Sequence, residues 1–233
     1  MRSTSIRLFV ETPLESGASR MLVGPQAHYL ANVMRLGPGD GLRLFDGLAG
    51  EFEAVVEHVS RREVRLQVGA GLRAPEAEPD CWLCFALLKR QKTDLVVEKA
   101  TELGIAVIQP VITARTQADH VNLARLRVIA VEAAEQCERL SVPEIRAPVT
   151  LGQLMQGWPQ RRLYVADERR AAPLAGALHG PGALLVGPEG GFTDTELDGI
   201  GNAPLVTRVS LGRRILRAET AAIAGLALML AAA

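Results

Sequence analysis

Net charge is missing from this sequence: 26 lysines and arginines balance 26 aspartates and glutamates. A nucleic-acid partner finds no bulk attraction, so any such site must be a local basic patch. Cysteine is scarce, and Cys81, Cys84 and Cys137 cannot build a disulfide framework. Cys81-Trp-Leu-Cys84 has metal-ligand spacing, but no second pair accompanies it. Tetrahedral zinc needs four ligands, so no metal site is expected and the two cysteines read as buried strand residues. The opening residues 1–11 lack a continuous apolar run, which argues against a signal peptide. The apolar run at 218–233 has 16 residues, short of the roughly 20 that a membrane span needs. A core helix is expected there, in a soluble cytoplasmic protein with no membrane partner. Phosphate-binding P-loop, nucleophile-elbow and paired-histidine zinc motifs are all absent. Gly37-Pro-Gly-Asp-Gly41 is only loosely a dinucleotide fingerprint and no helix follows it. Lysine is also rare: Lys89, Lys92 and Lys99 fall within eleven residues, and the other 23 basic residues are arginines.

What is present is an ordinary globular balance, 48% apolar and 22% charged over 233 residues, room for one large domain or two small ones. Residues 6–10, 41–45, 50–59 and 63–68 alternate apolar and polar, with turn signals at Gly37-Pro-Gly-Asp40 and Asp46-Gly47 and one helical piece at 27–34. This predicts a small β-barrel or sandwich over residues 1–72. Residues 73–80 hold two prolines and three acids and read as a linker. Residues 81–233 change pattern. Strands are expected at 81–88, 105–113, 163–166, 183–186 and 205–210, and helices at 93–103, 121–140 and 218–232. A further helix starts from the capping box Thr193-Asp-Thr-Glu196. Strands alternating with helices imply a mostly parallel α/β sheet.

Two loops in that half carry chemistry. Leu184-Leu-Val-Gly-Pro-Glu-Gly-Gly-Phe-Thr193 runs from a buried strand through three glycines to a capped helix. Glycines allow close backbone approach to a ligand, and ligands of open α/β sheets sit at the carboxyl ends of strands. Leu211-Gly-Arg-Arg-Ile-Leu-Arg217 follows the next strand with three arginines and precedes the last helix, where Glu219 suits the positive dipole end. The glycine loop alone reads equally well as a tight turn; the arginine loop carries residues a simple turn does not need, and together they make a constellation.

These two stretches resemble the SPOUT superfamily of S-adenosylmethionine-dependent RNA methyltransferases, and within it the RsmE family of 16S ribosomal RNA uridine-N3 methyltransferases. Lys99-Ala-Thr-Glu-Leu-Gly-Ile105, Glu132-Ala-Ala-Glu-Gln-Cys-Glu-Arg139, His28-Tyr-Leu and Val33-Met-Arg35 add to the likeness, which covers nearly the whole chain in order. The resemblance implies a PUA-like RNA-binding barrel over 1–72 and a methyltransferase domain with a trefoil knot over 81–233. It further implies S-adenosylmethionine as cofactor, a homodimer, and 16S ribosomal RNA or the small subunit as partner.

On this reading Leu185, Gly187, Gly190, Gly191, Leu211, Gly212, Ile215 and Leu216 hold the cofactor. Arg217, Arg139 or Arg7 stabilises the uridine anion that forms when N3 loses its proton. Glu189 acts as base or substrate holder, or only braces its loop. Lys89, Arg90, Lys92 and Arg115 contact phosphates or simply form a solvated face, and His28 and Arg35 touch RNA or stabilise the barrel. The rival reading is a non-catalytic RNA-binding dimer using the barrel. The two ligand-type loops argue against it, because a scaffold has no need of them.

Overall fold

The computed structural model describes residues 6–118, 120–167, 172–173, 181–201 and 205–231; residues 232–233, at the end of the predicted last helix, lie outside these. The chain divides into two compact units, Met1–Ala77 with Ala134–Ser141, and Glu78–Ala133 with Val142–Ala233. The first break falls inside the predicted linker. The return of Ala134–Ser141 to the first unit has no counterpart in the sequence pattern.

The first unit contains β1 (Arg7–Phe9), β2 (Ser19–Val23), α1 (Gly24–His28), β3 (Gly41–Phe45), β4 (Glu51–Val59) and β5 (Glu63–Arg73). The strands lie in the order β1-β3-β4-β5-β2, with β1 parallel to β3 and the rest antiparallel. The sheet forms a half-barrel, since β1 and β2 end the order without pairing. Alternation sets its inner face, with Leu42, Leu44, Ala54, Val56, Val64, Leu66 and Val68 all buried. β2 escaped the sequence reading because its pattern is inverted: Met21 and Val23 are exposed and only Leu22 is buried. The predicted helix at 27–34 starts earlier, with Pro25 in its first turn, and continues as a π-helical turn over Tyr29–Val33. Leu36 N–H closes that turn on the Leu30 carbonyl at 2.9 Å, and Arg35 takes the left-handed conformation, φ 53°, that ends it.

The second unit runs β6 (Cys81–Ala86), α2 (Arg90–Glu102), β7 (Val107–Ile112), α3 (Leu123–Gln136), β8 (Glu144–Ile145), β9 (Val149–Thr150), α4 (Leu151–Gln156), β10 (Arg162–Ala166), β11 (Ala172–Pro173), β12 (Gly182–Val186), α5 (Asp194–Gly201), β13 (Val206–Ser210) and α6 (Ala218–Leu230); the last turn of α3 belongs to the first unit. The sheet order is β11-β13-β10-β12-β6-β7-β8, with β9 also beside β7, and every ladder is parallel. Helices cover both faces, so central strands read as continuous apolar runs; all five residues of β12 are buried. Leu184 and Val186 point into the cluster with α2, α3 and α6, while Ala183 and Leu185 point into the cluster with α4 and α5. Cys81 and Cys84 divide the same way, so they cannot converge on one metal ion, and burial pushes both thiols up to about 12. α6 lies against β12 through Gly225, where a Cβ would sit 2.5 Å from the Leu184 side chain. Among the described residues no helix is long and apolar enough to cross a membrane.

Arg7, a candidate for catalysis, has a different task. Its side chain is buried against Glu51, Nε to Oε1 at 2.5 Å, and its guanidinium carbon stands 4.4 Å from the centre of the Phe45 ring. The remaining donors reach the carbonyls of Ala134 at 2.9 Å, Glu135 at 3.0 Å and Arg139 at 3.0 Å. These are carbonyls at and beyond the end of α3, which no helical N–H can satisfy. Arg7 thus caps a helix end inside the first unit. Arg139, the second candidate, is buried there too, with Nε donating to Ser141 Oγ at 3.0 Å. Removing Glu51 leaves a buried guanidinium without its counter-charge. Glu51→Ala should cost about 3 kcal/mol in urea denaturation, well beyond a surface ion pair. A loss under about 0.5 kcal/mol would show that the pair does not anchor the unit.

Candidate active site

The carboxyl ends of β10, β12 and β13 open onto one cleft of about 240 Å³ in the second unit. Because β10 lies between β12 and β13 in a parallel sheet, the segments that follow all three strands meet at the same edge. The glycine loop supplies Val186, Gly187, Pro188, Glu189, Gly191 and Phe192; the arginine loop supplies Leu211, Gly212, Arg214, Ile215, Leu216 and Arg217. Ala218 and Ala221 of α6 form part of its wall. Ile215 is 81% exposed at the cleft, a large apolar side chain that a bound ligand would cover.

Six of the eight predicted cofactor residues line the cleft: Gly187, Gly191, Leu211, Gly212, Ile215 and Leu216. Leu185 does not, because strand alternation turns it into the core beside α4 and α5. Gly190 is not a lining residue either; its backbone packs against Arg115, where a Cβ would meet Cδ at 3.2 Å. The left-handed positions are Gly191, φ 66°, and Gly212, φ 126°. At both a side chain is strained whatever space surrounds it.

The predicted phosphate contacts split. Arg115 donates to the carbonyls of Gly190 at 2.6 Å and Phe192 at 3.4 Å, bracing the glycine loop from outside. Lys92, in the first turn of α2, reaches Glu189 at 2.8 Å and Glu219 at 3.4 Å. Its hydrogen bond and charge hold the Glu189 carboxyl below the usual carboxylate range, while Glu189 raises the Lys92 ammonium. A carboxylate so held is a weak base and a steady negative charge. Lys99 is likewise shared, between Glu98 at 2.7 Å and Glu102 at 2.8 Å. Lys89 and Arg90 are exposed at the start of α2, on a separate cavity. His28 and Arg35 are exposed on the first unit.

Arg217 stands at the N-cap of α6 and lines the cleft, exposed, and its guanidinium has no partner among the described residues. Sequence reasoning missed the contribution of β10. Ala166 and Asp167 line the cleft, Asp167 being 5% exposed with Oδ2 3.8 Å from Arg208. The signal was available, since a buried strand at 163–166 was expected and ligands gather at such strand ends. The predicted capping box forms: Glu196 Oε2 accepts from Thr193 N–H at 2.8 Å, and Thr193 Oγ1 accepts from Glu196 N–H at 3.2 Å. The second Glu196 oxygen accepts from Ala114 N–H at 2.8 Å, tying the loop after β7 to the same helix start.

The family described as RNA methyltransferase domain matches residues 75–230, and that described as RNA methyltransferase PUA domain matches residues 22–69. Ribosomal RNA small subunit methyltransferase E of Rickettsia conorii is 34% identical over 227 residues, spanning 95% of this chain and 93% of its own. The protein of that name from Synechocystis is 34% identical over 220 residues, spanning 90% of this chain and 72% of its own. The crystal structure of ribosomal RNA small subunit methyltransferase E from Neisseria gonorrhoeae bound to S-adenosyl methionine superposes with a TM-score of 0.87 at 27% identity, covering 95% of each chain. With its two-loop cleft and both family matches in sequence order, the chain belongs to the ribosomal RNA small subunit methyltransferase E family.

Proposed function

We propose that this protein transfers a methyl group from S-adenosylmethionine to N3 of a uridine in the 16S RNA of the small ribosomal subunit. One observation carries the reading. Two ligand-type loops and the start of α6 close around a single cleft, and Arg217, without a partner among the described residues, stands on its rim. The donor set fits the cofactor. Gly191 and Gly212 bring backbone of positive φ to the cleft, with open space where a Gly212 side chain would stand, and Leu211, Ile215 and Leu216 offer apolar contact to an adenine. Asp167 and Glu189 bring carboxylates to the cleft as hydrogen-bond acceptors, and Arg214 and Arg217 bring cations to it.

When bound, S-adenosylmethionine supplies an activated methyl group on a sulfonium. The chain's own residues do the rest. The N3 proton passes to solvent water, which spreads negative charge onto the flanking uridine carbonyl oxygens, and Arg217 stabilises that charge by donating to them. Glu189, kept ionised by Lys92, acts as a fixed charge and loop brace rather than as the proton acceptor. The half-barrel docks the RNA, with His28 and Arg35 on its surface, and the second unit holds the cofactor. β13 lies between β10 and β11, both earlier in the chain, which supports a threaded, trefoil-knotted path. The protein acts in the cytoplasm, where its substrate is.

Three outcomes test the reading. Calorimetry with S-adenosylmethionine should show binding to the wild type and at least about tenfold weaker binding to a folded Gly212→Val variant, because valine does not tolerate φ 126°. Equal affinities would remove the loop from the site. Arg217→Ala should lower kcat on small ribosomal subunits by about 10²–10³, with a much smaller change in cofactor affinity. An unchanged kcat would assign anion stabilisation elsewhere. The chain should also be a homodimer through α6, whose Leu228 is 44% exposed beside exposed Ala227 and Ala231. Light scattering at micromolar concentration checks this, and a monomer would contradict it.

A further inference from the structure

A second cavity opens on the same sheet edge, at the carboxyl ends of β6 and β7. Its volume is about 540 Å³, more than twice that of the cofactor cleft. β6 pairs with β12, so this cavity and the glycine loop leave neighbouring strands, and Lys92 and Arg115 tie the two regions together. Its floor is apolar: Ala118 and Val121 are half-buried, and Leu87, Leu88 and Leu126 beside them are within 3% of full burial. Its rim is polar and cationic, with Lys89, Arg90, Gln117, His120 and Asn122 exposed. Asp94 is the sole carboxylate among the described lining residues, and Arg125 holds both its oxygens at 2.5 Å. The first turns of α2 and α3 both face the cavity, adding their positive ends.

Resting on the methyltransferase reading, we propose that this cavity seats one nucleotide of the RNA strand, next to the uridine being methylated. The base lies against Ala118 and Val121, where its edge meets the amide and imidazole groups of Gln117 and His120. Its phosphate is held by Lys89 and Arg90. An apolar floor with a few convergent polar groups is the common form of a ligand site. A splayed-out base on such a surface with its phosphate on cations is how single-stranded RNA is gripped.

The test uses the full chain and two variants. Ala118→Phe fills the cavity, and Lys89→Ala with Arg90→Ala strips its rim. Each is first checked for wild-type S-adenosylmethionine affinity by calorimetry, which establishes folding independently of RNA. Binding of a labelled single-stranded RNA oligonucleotide is then read by fluorescence anisotropy across salt, and methylation of small ribosomal subunits by KM and kcat. Both variants should weaken RNA binding and raise KM by about tenfold or more. The double variant should flatten the salt slope by about 0.7, one phosphate neutralised on a single strand, while Ala118→Phe should leave the slope unchanged. RNA affinity and KM equal to wild type in Ala118→Phe would overturn the proposal. So would a dimer-to-monomer shift in that variant, which would give the cavity to a second copy of the chain. If Ala118→Phe fails to fold, the exposed pair Gln117→Ala with His120→Ala decides, with unchanged RNA affinity as the overturning result. A wild type that binds the oligonucleotide but methylates nothing would fail the enzyme reading alone, because anisotropy on the same variants still decides whether the cavity holds RNA.

Discussion

Parallel strands all point one way, and from that constraint follows the placement of every group with a chemical role in the second unit. Each segment that leaves β6, β7, β10, β12 or β13 must start at one edge of the sheet. Glycine loop, arginine loop, the start of α2 and the loop before α3 are scattered over more than a hundred residues of sequence, yet they become neighbours there. Their order along the edge is the strand order. The arginine loop and the glycine loop flank the end of β10, and the start of α2 sits beyond the glycine loop because β6 pairs with β12.

Loops so gathered still have to hold their shape, and the glycine loop is held by side chains from its neighbours. Arg115 takes two of its carbonyls, Lys92 takes its one carboxylate, and Phe192 packs against Gly187, where a Cβ would lie 3.0 Å from the ring. The residues expected to reach outward to phosphates are therefore in part the ones that preorganise the loop. A loop fixed before its ligand arrives does not lose conformational freedom on binding.

Most of the fold was legible, because buried parallel strands and capped helices leave local signals. β12, the Thr193 capping box and the final helix could each be read from a few residues. Six of the eight residues expected to hold a cofactor do line one cleft, and the loops alone pointed to them. The misses have physical causes. β2 exposes its hydrophobic residues, so alternation pointed the wrong way. Leu185 sits among cofactor residues in sequence, but strand alternation sends it to the opposite face. Arg7 and Arg139 were drawn toward catalysis by residue type, whereas their partners are carbonyls and a carboxylate more than forty residues distant in the chain for Arg7, and long-range partners are invisible to pattern. The strand before Asp167 was legible, but that its end shares a cleft with the two loops follows only from the strand order.

The shared ammonium of Lys92 has a meaning for how this chain can vary. With 23 arginines against three lysines, the sequence chooses arginine almost wherever a positive charge suffices. Lys92 and Lys99 each stand between two carboxylates at 2.7 to 3.4 Å. A compact ammonium donates in three directions from one atom, and a flat guanidinium fork cannot occupy that space with the same bonds. Compositional drift toward arginine, harmless on most of the surface, therefore meets a geometric barrier at these two positions.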